Sequence, residues 1–173
     1  MKNDNIKFRN LEILYDSGEV DLKIIKDVER IFNIRFPQLY IELMSKHNSV
    51  SVEPSYISYY DSNNEEGIVG IGFDSFVTEL NPDPQDIRRQ YIYDDPIYGY
   101  EHVYSFGSTG EGHFICFDYR DDPKGDEPKI CIVIHDEYDE ETGKHLLFPV
   151  AENFEAFLDM LYDFDERYPN GYE

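Results

Sequence analysis

The sequence predicts an α+β fold: helices at the N-terminal and C-terminal ends, packed on a mostly antiparallel sheet of about five or six strands. Three observations predict it. Apolar residues recur at helical spacing near residues 24–47 and again over 154–162. Between these regions the period shortens to that of strands, cut by clusters of Gly, Pro, Asn and Asp. The composition, 40% hydrophobic and 16% aromatic over 173 residues, supplies one substantial core and argues against disorder. No internal repeat or low-complexity linker divides the chain. A single domain over 1–173 is expected, with its core at about 20–164, a leader at 1–18 and a frayed tail at 165–173.

The elements follow in order. The leader carries a short amphipathic piece at Leu11, Ile13, Leu14 and Tyr15. Asp21 is placed to cap a helix from Leu22 to about Asn33, with Ile24, Ile25, Val28, Ile31 and Phe32 on one face. Pro37 suits the first turn of a second helix, lined by Leu39, Tyr40, Leu43, Met44 and His47 and stopped near Asn48. Val50 to Tyr60 reads as one or two strands interrupted at Pro54, and Asp61 to Gly67 as a polar turn. Ile68 to Phe76 is a strand in which Gly70 and Gly72 suggest a bulge or a close neighbour. Pro84 opens a short helix through Ile87, Arg88 and Tyr91. The acidic, tyrosine-rich stretch Tyr91 to Tyr100 reads as loop.

Val103 to Arg120 comes next, an apolar lead-in, a loop with Gly107, Gly110 and Gly112, and the dense strand Phe114 to Tyr119. Asp121 to Pro128 is a turn. Lys129 to His135 is a nearly continuous apolar strand, expected well inside the sheet. Asp136 to Lys144 forms an acidic tip, and Leu146 to Val150 a short strand. Asn153 can cap a last helix with Phe154, Phe157, Leu158, Leu161 and Tyr162 on one face.

Charge narrows the function classes. Asp and Glu total 37 against 15 Lys and Arg, a formal net charge of −22. Nucleic acid and anionic membrane surfaces are disfavoured, because phosphate binding needs clustered cations. A basic protein or a cation is the natural complement. No run reaches the length of a membrane span and the N-terminus lacks an apolar signal region, so a cytoplasmic location is expected. Cys116 and Cys131 lie inside apolar strand runs and read as a reduced, buried pair.

Few patterns point to chemistry. The glycine loop superficially resembles a phosphate loop, but it lacks the Gly-Lys-Ser/Thr ending, carries Glu111 and leads into a strand. Ser105, Ser108 and Thr109 stand near His113 without a nucleophile elbow. The five histidines form no zinc signature. His135 with Glu137 and His145 could meet a cation only if strand register brings them together. A metal-binding or hydrolytic enzyme would have to draw on Asp118, His113 and His135. No catalytic residue, cofactor or metal site is expected. The acidic loops, interleaved with tyrosine, are better material for an interface with a basic protein. The candidate contact residues are Glu65, Glu66, Tyr91, Tyr93, Asp94, Asp95, Tyr98, Glu111, Asp121, Asp122, Asp136 and Glu137.

Several segments together resemble the SUKH superfamily, which includes the yeast Smi/Knr-type cell-wall regulators and many bacterial immunity proteins. They are Glu29 with Phe36-Pro37-x-x-Tyr40-x-x-x-Met44, Phe106 to Arg120 ending near Asp118, Ile130 to Glu137, and Val150 to Leu158. The chain departs from the family's usual pattern at Asn48-Ser49, at His113 and in having no Trp. The resemblance implies a protein-binding α+β domain without catalysis. Its partner would be a cognate toxin, basic and possibly a nuclease, with a regulatory scaffold as the alternative. It also implies structural roles for Pro37, Tyr40, Gly107, Gly110, Gly112, Asp118, Phe154 and Phe157.

Overall fold

Asp21 opens the helical part of the chain: its carboxylate accepts the Lys23 N–H at 2.9 Å and starts α1 (Leu22–Phe32). Asn33 closes it in the left-handed region, φ 57°, where its own N–H returns to the last turn. Glu29 faces inward from α1. One carboxylate oxygen accepts the Phe36 N–H at 2.7 Å and the other pairs with Lys26 at 3.0 Å, which fixes the turn into α2 (Gln38–Lys46). Pro37 stands just ahead of α2, whose Tyr40, Ile41, Leu43 and Met44 are buried.

The computed structural model describes residues 6–76, 86–88 and 99–172. The remaining helices are α3 (Phe154–Met160) and α4 (Phe164–Arg167). The strands are β1 (Ile6–Phe8), β2 (Leu11–Tyr15), β3 (Ser51–Glu53), β4 (Tyr56–Tyr60), β5 (Glu66–Phe73), β6 (Val103–Thr109), β7 (Phe114–Asp118), β8 (Lys129–Tyr138) and β9 (His145–Ala151). Strands β4 to β9 make a six-stranded antiparallel meander in sequence order, and β1, β2 and β3 a separate three-stranded sheet. The fold is α+β, as the sequence predicts.

Both faces of the large sheet are covered at its middle. Phe106, Ile115, Phe117, Ile130, Ile132 and Ile134 share the main core with α1, α2 and α3. At its centre the Tyr40 ring lies 5.0 Å from Phe117, 5.4 Å from Phe154 and 5.8 Å from Phe106. The alternate residues, Val103, Cys116, Cys131 and Val133, form a smaller cluster with Tyr100, Phe114 and Leu147. Strands buried on both faces read as continuous apolar runs, which is why 130–134 shows no polar alternation. Gly107 stands where β5 and β6 approach closely. A Cβ there would sit 2.3 Å from the Gly72 carbonyl oxygen.

Four expectations need correcting. Residues 6–15, expected as a leader, are β1 and β2; β2 pairs with β3 through Ile13 and Val52. Phe8, Leu11 and Ile13 are buried there, and only Leu11 and Ile13 show the period of two, a pattern too short to stand out. Residues 165–172, expected to fray, pack through rings instead: Tyr168 lies 5.2 Å from Phe164 and 5.2 Å from Tyr172, and the Arg167 guanidinium lies 4.2 Å over Tyr162. The last long helix ends at Met160 because Leu161 turns extended and Tyr162 bridges Tyr56 of β4, with backbone hydrogen bonds of 3.0 and 3.2 Å. Of the helix expected from Pro84 to Tyr91, only 86–88 are described, and there Asp86 makes a parallel bridge with Ser75. Among the described residues no helix is long and apolar enough to cross a membrane.

Candidate protein-binding surface

In an antiparallel meander, alternate turns leave from the same end of the sheet. The turns β4–β5, β6–β7 and β8–β9 therefore share one end, and the β7–β8 loop lies at the other. Each of the three turns is locked by its own side chains. Asp61 accepts the N–H groups of Asn63 and Glu65, each at 2.9 Å, with Asn64 at φ 60°. Thr109 accepts the His113 N–H through its hydroxyl at 3.1 Å, and Gly112 takes φ 94°. Asp139 accepts from Glu141 and Thr142 at 2.8 and 3.1 Å, with Gly143 at φ 72°.

These turns concentrate carboxylates. β4–β5 supplies Asp61, Glu65 and Glu66; β6–β7 supplies Glu111; the end of β8 and its turn supply Asp136, Glu137, Asp139, Glu140 and Glu141. Lys144 is the one Lys or Arg in these segments, and its ammonium lies 5.1 Å over the Tyr100 ring. No described lysine or arginine pairs with any of these carboxylates. Glu66 accepts instead from the tyrosine hydroxyls of Tyr60 at 3.3 Å and Tyr168 at 3.5 Å. Burial pushes the half-buried Tyr59 phenol up, and the charges of Glu111, Glu137, Asp61 and Asp136 push it further. Carboxylates from three turns thus act on one ring. Tyr60 and Tyr138 are 49% and 58% exposed among them.

The β7–β8 loop is different. The Arg120 guanidinium holds Asp118 in two hydrogen bonds of 2.9 and 2.8 Å. Burial raises the Asp118 carboxyl, and the guanidinium and N–H of Arg120 more than offset this, leaving it below the usual carboxylate range. Asp121 pairs with Lys129 at 3.0 Å. Asp122 folds over its own loop, where a side chain at Gly125 would strike its carboxylate. Arg35 donates twice to the Lys124 carbonyl, at 3.1 and 2.6 Å, tying the loop to the α1–α2 turn.

The expected contact residues are therefore sorted into two groups. Glu65, Glu66, Glu111, Asp136 and Glu137 are brought to one end; Asp121 and Asp122 lie at the other. Tyr91, Tyr93, Asp94, Asp95 and Tyr98 lie outside the described residues. Pro37, Tyr40, Phe154 and Phe157 stand at or in the main core, and Gly107, Gly110 and Gly112 shape β6 and its turn. Tyr100, read from sequence as part of an exposed loop, is half-buried and donates to the His145 carbonyl at 2.6 Å. Sequence reading missed Tyr60 as a surface tyrosine of the acidic end. Counting strands between turns was the signal that could have found it.

Register also brings two histidines together. Phe114 pairs with Val133, which brings His113, the residue before β7, beside His135 of β8, with their Nδ1 atoms 3.0 Å apart. Asp136 Oδ1 lies 3.8 Å from His135 Nδ1. Burial, then the facing His135, hold the His113 imidazole below its ordinary value. Asp118 is not with them: it closes the far end of β7, paired to Arg120. Cys116 and Cys131 face each other in register, both buried and both reduced. Burial is the main cause that pushes the Cys116 thiol up, and it stays protonated.

A family model described as SMI1 / KNR4 family (SUKH-1) matches residues 19–160, most of the chain. Those limits take in α1, α2, the whole meander and α3. No curated protein and no solved structure matches.

Proposed function

The chain belongs to the SMI1 / KNR4 family (SUKH-1), and we propose that it is an immunity protein that neutralises a cognate toxin by covering a basic surface, such as the phosphate-attracting cleft of a nuclease. The observation that carries this reading is the acidic end of the meander. Three self-locked turns hold carboxylates that no described lysine or arginine neutralises, beside the exposed rings of Tyr60 and Tyr138. Rigid tyrosines supply contact area at low entropic cost, and the uncompensated charge steers a basic partner. The mechanism needs no catalysis: occupation of the toxin's cleft is enough, and it would act in the cytosol of the producing cell.

The test is whether a toxin-like protein is encoded beside this chain and binds it; the absence of such a gene favours the regulatory scaffold. Expected is a one-to-one complex that abolishes the toxin's activity, whose association slows as salt rises and slows further in Glu111→Lys and Glu137→Lys. No complex with the neighbouring gene product, or one indifferent to salt and to both reversals, refutes the reading. Binding to a basic protein without loss of that protein's activity would instead favour a regulatory scaffold.

A further inference from the structure

We propose that His113, His135 and Asp136 form a binding site for one divalent transition-metal ion of the imidazole-preferring kind, nickel, copper or zinc. The inference is independent of the toxin reading. Three donor atoms, the Nδ1 atoms of the two histidines and a carboxylate oxygen of Asp136, lie within 4.8 Å of one another. The two Nδ1 atoms are 3.0 Å apart. Two lone pairs cannot meet at that distance, and His113 Nδ1 also accepts the His135 backbone N–H at 3.3 Å, so the His135 ring is the donor and a bound ion displaces both hydrogen bonds. A cation in place of that shared proton lets both nitrogens act as acceptors. At metal–nitrogen distances of about 2.1 Å, donors this far apart subtend about 90° at the ion. That angle belongs to octahedral and tetragonal sites and suits nickel and copper as it stands; zinc needs the rings to part by a few tenths of an ångström.

The backbone holds the donors in place. His113 leaves a turn closed by the Thr109 hydroxyl and by backbone bonds between Thr109 and His113. His135 continues β8 beyond Val133, which is registered with Phe114. Gly112 has φ 94°, and a Cβ there would contact the His135 ring at 3.4 Å. The residue that turns the chain therefore also leaves the imidazole its room. Glu111 and Glu137 place negative potential on His113, a field that concentrates cations. Aspartate completes the donor set, and water can fill the remaining positions.

Calorimetric titration of tag-free protein with nickel and then zinc, with magnesium as competitor, tests the site. Expected is one equivalent bound, undisturbed by excess magnesium, and weakened at least about tenfold in His113→Ala and in His135→Ala. His102→Asn, away from the cluster, is expected to bind as the parent does. Because either variant could perturb the turn, the second measurement uses the parent protein: copper should broaden the amide resonances of residues 112–114 and 134–137 first. No binding at about 1 mM metal, binding that survives both histidine changes, or broadening centred on another part of the chain overturns the proposal.

Discussion

The two ends of the six-stranded sheet are built from the same charged residue types and come out opposite. At the β7–β8 end Asp118 meets Arg120 and Asp121 meets Lys129, so charge is consumed locally. At the other end Asp61 and Asp139 accept from backbone N–H groups and Glu66 from tyrosine hydroxyls, and no described lysine or arginine pairs with them. The difference teaches that, among the described residues, carboxylates at the two ends are not equally neutralised. Acidic residues alone do not mark an interface. Partners that carry no charge fix the geometry of a carboxylate without neutralising its field.

The comparison breaks most sharply under charge reversal. Glu111→Lys combined with Glu137→Lys is expected to slow association with a basic partner by about 10- to 10³-fold at low salt. Asp121→Lys at the paired end should change it less than about threefold. Surface plasmon resonance across a salt series reads both, and equal effects at the two ends would erase the distinction. Next in size is the scaffold that aligns the turns. Gly107→Ala pushes a methyl group into the Gly72 carbonyl and is expected to cost about 2–3 kcal/mol in urea unfolding. Gly110→Ala in the turn itself meets open space and should stay within about 0.5 kcal/mol.

Smaller is the contribution of the ion pair at the paired end. Asp118 has a folded-state value below its unfolded one, so its stabilisation is present above about pH 4 and lost as pH falls through the lower folded value. Asp118→Asn should therefore lower stability by about 1 kcal/mol at neutral pH and flatten the acid limb of a stability–pH curve. An unchanged acid limb would show that the Arg120 pairing contributes nothing. The smallest effect lies between the ends, in the core. The Tyr40 hydroxyl is buried with no hydrogen-bond partner among the described residues, so Tyr40→Phe should be neutral or stabilising by up to about 1 kcal/mol. A loss larger than that in thermal unfolding would reveal a partner for the hydroxyl.

Much of the fold was legible because its signals are local. Asp21 and Asn153 cap the helices they were expected to cap, accepting N–H groups two and three residues on. The dense aromatic and apolar run at 114–117 and the unbroken apolar run at 130–134 announce strands buried on both faces. What was not legible depends on pairing at a distance. β1 and β2 are too short to show a period, and their stability comes from β3, some forty residues away. The C-terminal residues gain order from Tyr56 and Glu66 rather than from their own helix propensity. The acidic surface needed the parity of the meander, which divides Glu111 from Asp121 although only ten positions separate them. The meeting of His113 with His135 needed the register of β7 on β8.

Tyr162 occupies the outer rim of the meander. Its backbone exchanges two hydrogen bonds with Tyr56, so the first strand of the large sheet does not offer that position to another chain. The segment from Leu161 to Tyr172 is then expected to guard against self-association. Shortening the chain after Met160 would remove that guard and bare the Ser58 hydroxyl, which now faces the Tyr162 phenol at 2.9 Å. The product would be expected to keep α1, α2 and α3 and to grow by strand addition, in dimers or fibres.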